Sequence, residues 1–381
     1  MIKPRIIVTG ATGKTGSVVV KELLKAGYPV RAIVHREDGR STRLKAQGAE
    51  IVVAEMSDVE RILDALDHVQ RAYYCPPLDP YALQGAVAFA IAAKEARLEH
   101  IVGLTQWLAS PSHPSLMTRQ SWLIDNLFSM TPGVAHTIVN PGLFADDYLV
   151  PIGLATNLGL FPWMYGDSRN APPSNEDIGR LAAAVLMNPA RHAGNTYRPT
   201  GPDLLGANDM ASAIGRAIGR PVRVVPMPTW LFMKMARMAG LPIDLMSNVR
   251  YYIEDHKRGV FELHAPTNDV FDVTGRPPEN FETIARRYAA QAQNQRTLPN
   301  WLRQVAQFMM APLTPSFNLE LYDRELSRPF PSAPQLAIES AIWLDEHNLA
   351  DSIHSTEPAR EVEWLTGSRP SQPKAFPGES L

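Results

Sequence analysis

Thr9-Gly10-Ala11-Thr12-Gly13-Lys14-Thr15-Gly16 decides the fold. It follows a short apolar run, Arg5 to Val8. It opens a segment, Lys14 to Ala26, whose apolar residues recur at helical spacing and which stops at Gly27. Glycines three apart in a strand-to-helix turn have a physical use. Gly10 permits the tight turn, Gly13 lets the backbone approach a phosphate, and Gly16 lets the helix pack close to the strand. Free N–H groups at the helix N-terminus then face the phosphate, and the helix dipole favours its negative charge. A glycine-rich turn with no ligand is the plain alternative, and it leaves three glycines in register with little reason.

The same alternation continues to about residue 140. Strands are expected at Pro29 to Val34, Glu50 to Ala54, Val69 to Cys75, His100 to Thr105 and Val134 to Asn140. Helices are expected at Arg40 to Gln47, Asp58 to Leu66 with Ser57 as N-cap, Tyr81 to Arg97, and Arg119 to Met130. Apolar strands alternating with helices imply an α/β, doubly wound parallel sheet of Rossmann type. Its ligand site lies at the C-terminal ends of the strands. After Gly142 the pattern loosens into a smaller, mostly helical part. Helices are expected at Asn175 to Met187, Ala207 to Ile218, Thr229 to Ala239, Ile243 to Arg258, Glu279 to Gln293, Trp301 to Met310 and Pro334 to Glu346. Short strands are expected at Thr196 to Pro199 and Val222 to Val225. The expected division is a dinucleotide domain over 1–150, a substrate-side part over 151–295 interleaved with it, and a helical extension and tail over 296–381. From Ser352 the tail has little structure of its own by composition.

Composition narrows the partners. The net charge of −2 gives no basic excess to suggest nucleic acid or an anionic membrane. The lone Cys75 can form neither an internal disulfide nor a cysteine metal site, which suits a reducing compartment. The N-terminus enters a strand without an apolar signal core, so the expectation is a cytoplasmic protein. Histidines such as His256 and His264 lack metal-ligand spacing, and no metal is expected. A homodimer stays open.

The spacing Gly-x-x-Gly-x-x-Gly after Val8-Thr9 resembles the short-chain dehydrogenase/reductase superfamily, and its atypical NmrA-like branch most of all. Tyr165-Gly166-Asp167, Pro173-Ser174-Asn175-Glu176-Asp177-Ile178-Gly179, Pro189 to Gly194 and Tyr197-Arg198-Pro199-Thr200-Gly201-Pro202 carry the resemblance into the second half. It covers roughly residues 3 to 290. It implies a bound nicotinamide dinucleotide held by Gly10, Thr12, Gly13, Lys14, Thr15 and Gly16. Glu55 and Met56 border the adenine, and Cys75, Pro76 and Pro77 the adenosine ribose. Thr105, at the place of the superfamily's serine, and Asn140-Pro141-Gly142 lie toward the nicotinamide.

The second strand ends in Val34-His35-Arg36, where an NAD site usually carries an acid. Arg36 suits a 2′-phosphate through a charged fork, with Arg40 and Arg43 close behind, and His35 lies beside it. NADP is therefore expected. Glu37 and Asp38 follow at once and keep NAD open.

The usual catalytic pair of the superfamily, Tyr-x-x-x-Lys, is missing between residues 100 and 140. Aligning the helix on Asp125 puts Met117 and Ser121 at its two positions. Thr105, Asp125 and Asn140 are weak catalytic candidates, with His113 a further polar group. Each has a plain alternative as a strand-end, solvated-helix or loop residue. Trp107, Phe144, Tyr148, Trp163 and Tyr165, with Phe161 and Met164 between them, suit the wall of an aromatic or hydrophobic substrate site, although aromatics dominate cores too. The Met-rich run Met227, Met233, Met235 and Met238 suits a lid or plain core. Two functions stay open. One is an NADP(H)-dependent oxidoreductase of atypical type acting on a hydrophobic or aromatic small molecule. The other is an NADP(H)-sensing regulator with no turnover.

Overall fold

A computed structural model describes residues 3–326 and 330–350. The tail expected from Ser352 lies outside the described residues.

Seven parallel strands form the main sheet: β1 (Ile6–Val8), β2 (Val30–Val34), β3 (Glu50–Val53), β4 (Arg71–Tyr74), β5 (His100–Leu104), β6 (Ala135–Val139) and β8 (Thr196–Tyr197), in the order β3-β2-β1-β4-β5-β6-β8. Ile6 of β1 registers with Val30 on one side and Arg71 on the other. The order reverses between β1 and β4, so the crevice of a doubly wound sheet opens beyond Val8 and Tyr74. β7 (Leu160–Trp163) and β9 (Arg223–Pro226) form a separate parallel pair.

The helices in chain order are α1 (Lys14–Lys25), α2 (Gly39–Ala46), α3 (Val59–Ala65), α4 (Ala82–Glu95), α5 (Leu116–Ser129), α6 (Ala145–Tyr148), α7 (Ile152–Leu158), α8 (Asn175–Met187) and α9 (Pro189–His192). After these come α10 (Ala207–Ile218), α11 (Thr229–Met238), α12 (Ile243–Lys257), α13 (Asp269–Thr274), α14 (Phe281–Ala289), α15 (Leu298–Met310), α16 (Leu319–Glu325) and α17 (Ala341–Glu346).

Side chains alternate across the pleat, and each face of the sheet has its own core. Ile6 and Val8 pack with Val19 and Leu23 of α1 and Ile178 and Leu181 of α8. Ile7 packs on the other face with Ile62 of α3, Phe89 of α4 and Phe128 of α5. There Tyr74 lies 5.0 Å from Phe89 and 4.9 Å from Phe128 between ring centres. Each such ring contributes about 1.5–3 kcal/mol by leaving water. Two rigid faces therefore hold the strand ends where the site forms.

The structure shifts several expected boundaries. Asp58, not Ser57, caps α3, because its carboxylate accepts the Arg61 N–H. α5 starts at Leu116 rather than Arg119, since Ser115 accepts the Thr118 N–H and caps it there. The run expected as a helix from Pro334 splits into a 3-10 turn at Ala337–Glu339 and α17, which Ser340 caps. Leu160–Trp163, within the aromatic run, pairs with β9 as a strand. β8 returns to the edge of the first sheet beside β6, and α8 packs on α1.

Candidate functional site

A single cleft of about 1260 Å³ runs along the C-terminal ends of the strands, from the glycine turn to α11 and α15. The turn itself is built by close backbone contact. The Cys75 N–H donates to Thr9 Oγ1 at 2.8 Å, which pins the end of β1 to the end of β4. Gly10 has φ +59, and a Cβ there would stand 3.2 Å from that of Cys75. A Cβ on Gly13 would reach the Gly10 carbonyl at 3.0 Å, and one on Gly16 would overlap it. Gly16 does not line the cleft, so its part is this packing behind the turn.

Gly13 is the N-cap of α1 and offers no side chain to the free N–H groups, and the first turn carries no acid. An uncapped helix start of this kind accepts an anionic phosphate. The donors and the stripped turn fit a dinucleotide pyrophosphate. Thr12, Lys14 and Thr15 stand on the cleft beside it. The Lys14 ammonium is ion-paired with the buried carboxylate of Asp146 in α6.

Around the ends of β2, β3 and β4, the cleft is lined by His35, Arg40, Glu55, Met56, Cys75, Pro76 and Pro77. Arg36 is exposed and does not line it. The chain leaves the cleft after His35 and returns at the first turn of α2. That turn presents Arg40 instead, held at Nε and Nη2 by Asp38 Oδ2 at 2.9 and 2.8 Å. The Arg40 guanidinium and the N–H groups of α2 hold the Asp38 carboxyl down to about 2. His35 Nδ1 lies 2.8 Å from Glu55. Burial pushes the Cys75 thiol up to about 11, so it stays a neutral, small apolar group.

In the middle of the cleft stand Thr105, Gln106, Met117, Ser121, Pro141 and Gly142. Ser121 Oγ donates to the Met117 carbonyl at 3.0 Å and accepts from Gln106 Nε2 at 2.7 Å. The hydroxyl is thereby committed. Asp125 and Asn140 are buried behind the cleft and do not line it. Burial raises the Asp125 carboxyl well above its ordinary value, which corrects its reading as a solvated helix acid. His113 is also away from the cleft, buried at 2.8 Å from Asp255.

Trp107, Phe144, Tyr148, Trp163 and Tyr165 all border the cleft, with Phe161 and Met164. Tyr148 stacks on Trp163 at 5.9 Å. Behind them, Ser168 Oγ donates to the Tyr165 carbonyl at 2.8 Å and lies 2.5 Å from His256 Nδ1. That assigns the proton to Nδ1, so His256 Nε2 accepts from the Tyr148 hydroxyl at 2.6 Å. The Tyr148 proton therefore points away from the cleft. Burial holds His256 down to about 4, which keeps it neutral. Trp107 is fixed by its Nε1–H to the Val260 carbonyl at 3.1 Å, by the Arg198 guanidinium at 3.6 Å from its ring centre, and by Trp343.

Three groups on the cleft lay outside the sequence reading. Asp147 of α6 faces the open cleft, yet the protein around it and the neighbouring Asp146 push its carboxyl up to about 7. Gln106 follows Thr105 at a strand end, a position that itself signals a site. Gln304, Gln307 and Phe308 come from α15, and only the tertiary fold brings them there. Of the Met-rich run, Met227, Met235 and Met238 line the cleft and Met233 does not.

Comparisons with known proteins find related sequences and folds. The model of the NmrA-like family matches residues 2–103. An NAD(P)H azoreductase of Xenophilus azovorans is 31% identical over 290 residues, which span 75% of this chain and 98% of that protein. The structure of an NADPH-dependent quinone oxidoreductase of Escherichia coli complexed with NADPH superposes with a TM-score of 0.65 at 22% identity. The match covers 74% of this chain and 99% of that one. A negative transcriptional regulator in complex with NADP superposes with a TM-score of 0.61 at 18% identity, covering 75% and 95%. At these identities the two structures show the shared fold alone.

Proposed function

We propose a function on one premise: the chain belongs to the NmrA-like family, whose fold is the NAD(P)-binding Rossmann fold. It is an NADP(H)-dependent oxidoreductase that reduces a hydrophobic, aromatic small molecule. One observation carries this reading. The phosphate turn and the aromatic wall border the same cleft, so phosphates at Gly10 to Lys14 and a flat acceptor beside Trp163 and Tyr165 share one space. The 31% identical relative bears the name of an NAD(P)H azoreductase, which supports an aromatic acceptor.

When bound, the nicotinamide supplies the hydride. The chain's own residues do the rest. The α1 N-terminus, Lys14 and Arg40 hold the charged groups, and the choice of NADP over NAD rests on Arg40. Pro141, Gly142 and Thr105 border the reacting end. The apolar wall excludes water from the acceptor.

Two-electron reduction of such an acceptor takes up one proton besides the hydride. Ser121 and Tyr148 both spend their protons on protein acceptors. Asp147 opens on the cleft with a carboxyl poised near neutrality, and in this reading it gives that proton and regains it from solvent. The test is NADPH consumption with hydrophobic quinones and azo dyes. Bound NADPH that none of them consumes would instead support a sensor without turnover.

A further inference from the structure

Helix α15 rests on the body through Gln304. Gln304 lines the cleft and its Nε2 packs against α7 where a Cβ on Gly153 would stand, while Gln307 and Phe308 border the cleft. Leu298, Trp301, Leu302, Val305 and Met309 are spaced i, i+3, i+4, i+7 and i+11, which places them on one stripe. That stripe faces solvent except at Val305, which is half-buried. Leu298 is 70% and Met309 67% exposed, and Trp301 and Leu302 are exposed with them. No residue of α15 is buried. An amphipathic helix ordinarily turns this stripe to the core.

The stripe continues through Leu313, 74% exposed, to Trp230 of α11, since the turn Ala311–Leu313 packs on α11. Lys234 Nζ donates to the Pro312 carbonyl at 2.7 Å and Arg237 Nη1 to the Pro315 carbonyl at 2.9 Å, which joins the two elements. The charges here have one sign. α11 carries Lys234 and Arg237 and no acid. α15 and the turn after it carry Arg303 and no acid. The net charge of −2 averages this away. The same two helices wall the cleft, through Phe232, Met235 and Met238 of α11 and Phe308 of α15.

We propose that the face made by α15, the turn after it and α11 docks on an anionic lipid bilayer, with the cleft mouth at the membrane surface. An apolar stripe with cations and no acids matches the headgroup and acyl boundary of such a bilayer. A second copy of the chain fits worse, because a two-fold contact would set these cations against their own kind. No helix among the described residues is long and apolar enough to cross a membrane, so the docking is peripheral. The proposal rests on the oxidoreductase reading only for its benefit, direct entry of a lipophilic acceptor from the bilayer.

The test is cosedimentation of the full chain with vesicles of phosphatidylcholine alone and of phosphatidylcholine with phosphatidylglycerol. The expected result is pelleting with the anionic vesicles, weakened by salt, and about tenfold weaker binding for the Trp301→Ser, Leu302→Ser double variant. NADPH-dependent turnover of a water-soluble acceptor by that variant is expected to be unchanged, which separates this proposal from the reading of the cleft. Failure of the full chain to pellet, equal pelleting of the variant, or a concentration-dependent dimer that the variant dissolves would overturn it.

Discussion

Lys14 and Asp146, 132 residues apart, are ion-paired between the phosphate turn and α6. The carboxylate is buried and the ammonium largely exposed, so the pair couples the first residue of α1 to the wall of the acceptor site. Lys14→Met is expected to leave Asp146 buried without its cation and to destabilise the fold by about 1–3 kcal/mol. The Lys14→Met, Asp146→Asn double variant should recover part of that loss. A urea-unfolding double-mutant cycle reads the coupling, expected at ~0.5 kcal/mol or more. Additive losses would show that the pair is idle.

Arg40 borders the cleft and Arg36 does not. Loss of one charged fork to a phosphate costs about 1.5–3 kcal/mol. Arg40→Ala should therefore weaken NADPH binding by roughly 10- to 100-fold and leave NADH binding nearly unchanged. Arg36→Ala should change neither. A calorimetric titration of both variants checks this, and a larger effect at Arg36 would return the 2′-phosphate site to the strand exit.

Asp147 as proton donor makes a pH prediction. Its carboxyl, raised to about 7 by desolvation and then by Asp146, is protonated below that pH and spent above it. The rate constant kcat for acceptor reduction should fall as pH rises through about 7. Asp147→Asn should lower kcat by roughly 10²-fold or more and remove this limb. An Asp147→Asn enzyme that keeps the wild-type pH profile would take the role away from this residue.

His256 gives a separate pH dependence, in stability. Burial depresses its folded value to about 4, below the 6.5 of the free side chain. As pH falls, the unfolded chain takes up this proton first. The loss of stability begins near 6.5 and levels off near 4, and above 6.5 the group costs nothing. Other buried groups titrate in the same range, so the informative quantity is the difference between wild type and His256→Gln. The advantage of the wild type should shrink by up to ~3 kcal/mol between pH 7 and pH 4. A pH-independent difference would show that His256 titrates normally.

The glycine turn made the first half legible. Gly10, Gly13 and Gly16 fix the chain path so tightly that strand, helix and cleft follow from them. The aromatic wall was legible as a group, because Phe144 to Tyr165 are close in sequence. Its structure was not, since the Tyr148 hydroxyl, His256 and Ser168 meet only through the packing of α12 beneath β7. Arg36 lies outside the cleft although His35 beside it lines it. Beyond Val34 the local path into α2 decides which arginine returns. Asp147 gave no signal at all, as its raised value comes from the protein folded around it and from Asp146. The placement of α15 depends on contacts with α7 that no local pattern encodes.

The central claim is that one cleft holds both NADPH and an aromatic acceptor for hydride transfer. It is tested most directly by mixing the protein with NADPH and a panel of hydrophobic quinones and azo dyes, and following both reactants. The account predicts that NADPH is consumed one for one with a reduced acceptor, and that Trp163→Ala raises the KM for the acceptor without altering that for NADPH. NADPH that binds but is consumed with none of the panel would contradict it.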